Sequence, residues 1–152
     1  MTETEIEVQD QRRVAVNLFN HVWARLEQSD RSTAEDDDML HAAHASRWHW
    51  GQVGGTQEIA IGEWQCSRVY AVLERAEPAL HHAKRSLELA GHDDVAAFVA
   101  ASAHEALARA HFVAGDLDAA RAARDESVRL TAALEDPEDR EVIEGDLATL
   151  PF

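Results

Sequence analysis

Glu105-Ala-Leu-Ala-Arg109-Ala-His111-Phe-Val-Ala-Gly115-Asp116-Leu-Asp-Ala-Ala120-Arg-Ala-Ala-Arg-Asp-Glu-Ser127-Val-Arg-Leu130 decides the fold. Leu, Ala and Arg before the glycine are strong helix formers. Gly115 supplies the left-handed residue that ends a helix, and Asp116 is placed to cap the next one. The stretch therefore reads as helix, tight turn and helix.

The same layout occurs 41 residues earlier. Cys66-Ser67 falls on Leu107-Ala108, Tyr70 on His111, Glu74 on Gly115, Ala79 on Ala120 and Ser86 on Ser127. A fixed offset of this size is the mark of stacked structural units. No stretch alternates apolar and polar residues as a strand would, so the chain is expected to be all-α.

Leu107, Ala108, His111, Gly115, Ala120 and Ser127 together resemble the tetratricopeptide repeat: a large-small pair, an aromatic-like position, a turn glycine, and small residues where two helices cross. The whole chain also resembles a group of bacterial tetratricopeptide-like proteins, and that resemblance brings no activity with it. What it implies is a right-handed superhelix of stacked antiparallel helix pairs, about seven helices in one domain over residues 1–152. The repeat units are expected at 56–90 and 94–133. The family period is about 34 residues, and the family's helix-terminating proline is absent after both units. The extra residues predict a lengthened fifth helix.

Outside the repeats, Val14, Ala15, Leu18, Phe19, Val22, Trp23 and Leu26 make one apolar stripe on a first helix over 5–28. Ser32-Thr33-Ala34-Glu35 has the pattern of a capping box opening a second helix over 34–50. Gly54-Gly55 closes it, with Thr56 as cap of the third. Gly62 inside the third helix predicts a neighbouring helix at close range. Asp93 or Asp94 is expected to cap the fifth helix, and Asp136-Pro137 to open a short last one.

Composition removes several classes of function. The chain has 152 residues, a formal net charge of −15, nine histidines and one cysteine. That charge argues against a nucleic-acid backbone and against anionic membranes as partners. No run spans a bilayer. The polar Met1-Thr2-Glu3-Thr4-Glu5 start is not a secretory leader, and the lone Cys66 fits a reducing compartment, so a cytoplasmic protein is expected. Cys66 itself takes a core position and is expected to be inert. No phosphate loop, nucleophile elbow or Cys-x-x-Cys occurs.

The family resemblance implies a concave groove lined by the first helix of each pair. Its positions here are Ile61, Trp64, Arg68, Ala71 and Val72, then Ser102, Glu105, Arg109, Phe112 and Val113. Trp64, Arg68, Glu105, Arg109 and Phe112 are the ligand-binding candidates. Arg68 and Arg109 are equivalent, so their head groups are expected within about 10 Å, one Debye length at roughly 0.1 M salt. Paired guanidiniums grip a carboxylate bidentately. The competing reading has both arginines paired with Glu105 or Glu63, stapling helices. The expected function is thus a binding module holding a protein segment, a peptide or a small carboxylate-bearing ligand, with no resident cofactor and with self-association left open.

A second expectation is of another class. Asp37, His41 and His44 share one face of the second helix and resemble a two-His-one-carboxylate set for a divalent metal. A metal-dependent or His/Glu-dependent enzyme would be built there. The plainer alternative places His41 and His44 in a helix interface, hydrogen-bonded to neighbours. Trp48, Trp50 and Trp64 flank one glycine-rich corner, as an aromatic pocket or as core.

Overall fold

The computed structural model describes residues 3–152, with side chains from Glu7 onward. Met1 and Thr2, part of the start read above as no leader, lie outside the described residues. Among those described there are seven helices and no strand: α1 (Glu3–Leu26), α2 (Thr33–Val53), α3 (Thr56–Val72), α4 (Ala76–Ala90), α5 (Ala97–Val113), α6 (Leu117–Ala132) and α7 (Pro137–Ala148). None is long and apolar enough to cross a membrane.

Consecutive helices pack as pairs α1/α2, α3/α4 and α5/α6, and the pairs stack. The second helix of each pair leans on the first helix of the next: α2 on α3, α4 on α5, α6 on α7. The backbones of the even-numbered helices α2, α4 and α6 stay apart from one another. The odd-numbered helices therefore share one face of the stack. Helix α7 takes the place that the first helix of a fourth pair would take.

One hydrogen bond recurs in every pair and shows why the helices come so close. Ser86 Oγ donates to the Ala60 carbonyl at 2.9 Å, and Ser127 Oγ to the Ala101 carbonyl at 2.8 Å. Ser46 Oγ donates to the Ala15 carbonyl at 2.8 Å. All six residues are buried. Only a small residue on each side lets a hydroxyl reach the neighbouring backbone, and each such bond contributes about 1 kcal/mol. The first pair is thus a third unit, one that the 41-residue comparison does not reveal. It escapes because its connection, Glu27–Ser32, is longer than Leu73–Arg75 or Ala114–Asp116. The Ser-to-Ala separation is 31 residues in the first pair and 26 in the other two.

The turns inside the second and third pairs match in detail. Gly115 has φ +82°, and Glu74, at the equivalent position, has φ 59°. Asp116 N donates to the His111 carbonyl, and Arg75 N to the Tyr70 carbonyl, at 3.0 and 2.9 Å. These are the same helix-ending bond. Asp116 caps α6 through Ala119 N, and the Ser32–Glu35 capping box opens α2, both as expected.

Three local expectations are corrected. Helix α5 is no longer than α3, at 17 residues each. The additional residues form the turn Gly91–Ala96 instead. Neither Asp93 nor Asp94 caps α5: Ala96 stands at the cap and its N–H donates to Gln57 Oε1 at 2.8 Å. Gly55, not Thr56, precedes α3, with Glu58 Oε2 accepting its N–H at 2.9 Å. Gly62 behaves as expected: a Cβ there would lie 2.9 Å from Arg47 Cδ and 3.3 Å from Arg47 Cα on α2.

Candidate functional site

The serine staples fix the register of the odd-numbered helices. Adding 45 takes Ala15 to Ala60, and adding 41 takes Ala60 to Ala101. The same offsets generate rungs across the shared face: Val16–Ile61–Ser102, Phe19–Trp64–Glu105 and Trp23–Arg68–Arg109. The first rung is mostly apolar and the third is mostly cationic.

Two cavities open on the first rung, with Ile61 in the wall of both. One, of about 150 Å³, is lined by Ile61 and Trp64 of α3, Phe98, Val99 and Ser102 of α5, and Asp139, Val142, Ile143 and Asp146 of α7. The other, of about 120 Å³, lies among Val16 and Phe19 of α1, Trp50 of α2, and Glu58 and Ile61 of α3. Trp64 is buried, with its ring 5.6 Å from that of Trp23. Its indole N–H has no hydrogen-bond partner among the described residues.

The third rung brings Arg68 and Arg109 together, as the repeat offset requires. Both converge on one oxygen, Glu105 Oε1. Arg68 Nη1 lies 3.4 Å from it, Arg109 Nε 2.9 Å, and Arg109 Nη2 is bonded to it as well. Arg109 Nη2 also donates to Thr149 Oγ1 at 2.7 Å and to the Asp146 carbonyl at 3.1 Å. Arg68 Nη1 is 3.7 Å from Asp146 Oδ1, and its guanidinium lies over the Trp23 ring at 5.9 Å. The side chains are 11%, 1% and 13% exposed for Arg68, Glu105 and Arg109. Burial pushes the Asp146 carboxyl above its ordinary value, and the nearby Glu105 charge adds to this.

These contacts bear directly on the expected carboxylate-bearing ligand. The two guanidiniums share a wall, but an internal carboxylate already occupies it. Glu105 and, at longer range, Asp146 are the carboxylates these guanidiniums face, and the stapling reading describes their contacts. Of the five ligand-binding candidates, Trp64 lines the groove cavity. Arg68, Glu105 and Arg109 form the internal charge cluster. Phe112 is 38% exposed and stacks on Phe152 at 5.2 Å, which Arg124 covers at 5.3 Å. The three tryptophans share no single pocket: Trp48 is 57% exposed, Trp50 lines the smaller cavity, and Trp64 packs in the core with Ala83 and Ala106 while lining the larger one.

A second polar cluster joins α2, α3 and α4. Arg47 Nε donates to Glu63 Oε1 at 2.9 Å, and His82 Nδ1 lies 2.5 Å from Glu63 Oε2, so the imidazole carries its proton there. His44 Nε2 and the Tyr70 hydroxyl are 2.8 Å apart. The His44, Tyr70 and His82 rings lie 5.3–5.6 Å from one another, with Tyr70 and His82 stacked. Burial opposes ionisation of Glu63, but the His82 and Arg47 hydrogen bonds outweigh it and hold the carboxyl below its ordinary value. Burial, and then the His82 ring, hold His44 below the usual imidazole value.

Asp37 and His41 are exposed, whereas His44 turns to Tyr70. Among the described residues, no group of three or more His, Cys, Asp or Glu side chains is arranged to hold a metal ion. His44 is therefore an interface histidine. Cys66 is fully buried and its thiol is pushed up to about 12 by that burial, so it is not a nucleophile at neutral pH. Sequence reasoning missed the Glu63–His82 contact. The residues adjoin a Trp and a His pair, but the offset gives His104 and Ala123 at the equivalent positions, so no repeat signal marks them.

No family model, no curated protein and no solved structure matches the chain.

Proposed function

We propose that the chain is a tetratricopeptide-like binding module that holds a peptide segment against its odd-numbered helices, principally through an apolar side chain. One observation carries this reading: the 150 Å³ cavity between α3, α5 and α7, walled by Ile61, Trp64, Phe98, Val99, Val142 and Ile143. Val142 stands at its mouth, 66% exposed. Concave, mostly apolar clefts with a few polar groups are the usual form of a ligand site. Filling this one with a Val- to Phe-sized side chain is worth about 1.5–3 kcal/mol. The neighbouring 120 Å³ cavity extends the same strip along α1.

The carboxylate-bearing ligand is not part of this reading, because the arginines that motivated it already face Glu105 and Asp146. The test is selection of binders from a phage-displayed library of random linear dodecapeptides on the wild-type protein. Peptides so obtained should lose binding to Val142→Gln and Ile61→Gln variants whose circular dichroism is unchanged. Equal binding to wild type and both variants would place the site elsewhere and remove the reading.

A further inference from the structure

The cavity's α7 wall reads Asp139, Val142, Ile143, Asp146, all four lining the same space. At 1.5 Å rise per residue, the two aspartates stand about 10 Å apart along the helix and bracket the apolar pair. Asp139 is half-buried and makes no ion pair among the described residues. Asp146 has one cation, Arg68, at 3.7 Å, and Arg68 is shared with Glu105. Glu105 Oε2, in a side chain 1% exposed, has no hydrogen-bond partner among the described residues. The charged residues that line the cavity are thus both carboxylates, and only Asp146 lies near a cation, which leaves negative charge in excess at this wall of the groove. Glu58 adds another carboxylate at the adjoining cavity. The whole chain carries −15.

We infer that the occupant of the groove is a basic segment: a bulky apolar residue seated in the cavity, with Lys or Arg close by in sequence to meet Asp139 and Asp146. This rests on the binding-groove reading and names its partner class. An apolar residue alone would satisfy the cavity but leave the excess charge uncompensated. An acidic or phosphorylated segment would add like charge to it, which complementary interfaces avoid. The raised Asp146 carboxyl fits the same picture, since burial and then the Glu105 charge oppose its ionisation more than Arg68 and Arg109 favour it. A ligand ammonium or guanidinium at that point would restore the charged form, so binding should weaken as the solution is acidified through the range where Asp146 takes up its proton.

The experiment uses the same dodecapeptide library on the full chain, followed by fluorescein-labelled synthetic copies of the most enriched sequence. Selected sequences should place Lys or Arg within a few positions of Leu, Phe or Trp. Raising sodium chloride from about 50 to 200 mM, and separately the exchange Asp139→Lys, should each weaken binding by about tenfold, because rim charges are screened and reversed. Asp139 makes no ion pair of its own, so the exchange leaves the internal cluster intact. A Glu-for-Lys copy of the peptide should regain affinity on Asp139→Lys. If the enriched peptides are neutral or acidic, or are indifferent to Asp139→Lys while still lost on Val142→Gln, the basic-partner inference is overturned and the groove stands. If no peptide is enriched, or if the protein forms a dimer that Val142→Gln dissociates, this inference is overturned as well, and the groove has no peptide or belongs to a second copy of the chain.

Discussion

Replacing Glu105 with Gln separates a structural charge cluster from a ligand-binding one. The amide keeps the shape and an acceptor oxygen but removes the charge on which Arg68 and Arg109 converge. Both guanidiniums are nearly buried, so each loses its main counter-charge while remaining out of water. Removing one partner of a buried pair costs about 3–5 kcal/mol. Two effects reduce that here. Asp146 remains 3.7 Å from Arg68, and Thr149 and the Asp146 carbonyl still accept from Arg109. A loss of about 3 kcal/mol is expected, equivalent to two charge-assisted hydrogen bonds at the lower end of their range. For a chain of this length that lowers the melting temperature by about 6–12 °C. Urea denaturation followed by circular dichroism and by tryptophan emission measures it, since Trp23 lies beside Arg68. The triple exchange Arg68→Met, Glu105→Leu, Arg109→Met should recover most of the loss, because an apolar set of similar volume needs no counter-charge. A loss under about 1 kcal/mol on Glu105→Gln would show that the arginines do not depend on Glu105, and would reopen them to an external anion.

Three further outcomes follow from the fold and the second cluster. Glu74→Gly should raise stability by about 0.5–1 kcal/mol: a left-handed Glu costs about 1–2 kcal/mol, part of which the freer unfolded glycine takes back. An unchanged or lower melting temperature would deny that Glu74 is strained. Ala120→Leu should cost about 1–3 kcal/mol by overpacking a fully buried position where α6 meets α5, and calorimetry that finds no change would contradict the repeat register. The His44 imidazole has a folded value below its unfolded one, so the stability it contributes is present above about 6.5 and is lost as pH falls through that value toward the folded one. Around it stand His41 and Arg47 from α2, Glu63, Cys66 and Tyr70 from α3, and His82 from α4. Glu63, depressed in the fold, adds its own loss only below the ordinary carboxylate range. Melting temperatures recorded between pH 7.5 and 5 should therefore fall in the wild type and fall less steeply in His44→Gln, where His104, also held below the ordinary imidazole value by burial, keeps part of the slope. Parallel curves for the two proteins would remove His44 as the cause.

Periodicity made the paired helices legible, and local geometry at Glu74 and Gly115 shows why the 41-residue offset worked: both turns end a helix with the same bond. The first pair stayed hidden for a reason of equal simplicity. A longer connection, together with a serine set deeper in the second helix, takes the staple from a separation of 26 to one of 31, so a single fixed offset cannot align all three units. The site divides along the same line. Register alone placed Arg68 and Arg109 on one wall, and Trp64 beside the groove. Whether their charge was free depended on Glu105 lying between them and on Asp146 arriving from α7, a helix with no repeat partner from which to infer its rotation. The staple serines and the charge cluster thus do related work at different distances. The serines draw the two helices of each pair together, while the Glu105 cluster ties α3, α5 and α7 across the face between pairs. Tying α7 down in this way sets Val142 and Ile143 opposite Ile61 and Trp64, and so builds the apolar cavity. The arginines serve the groove by holding its wall, and Asp139, which takes no part in that task, stands with Asp146 as the acidic residues of the cavity.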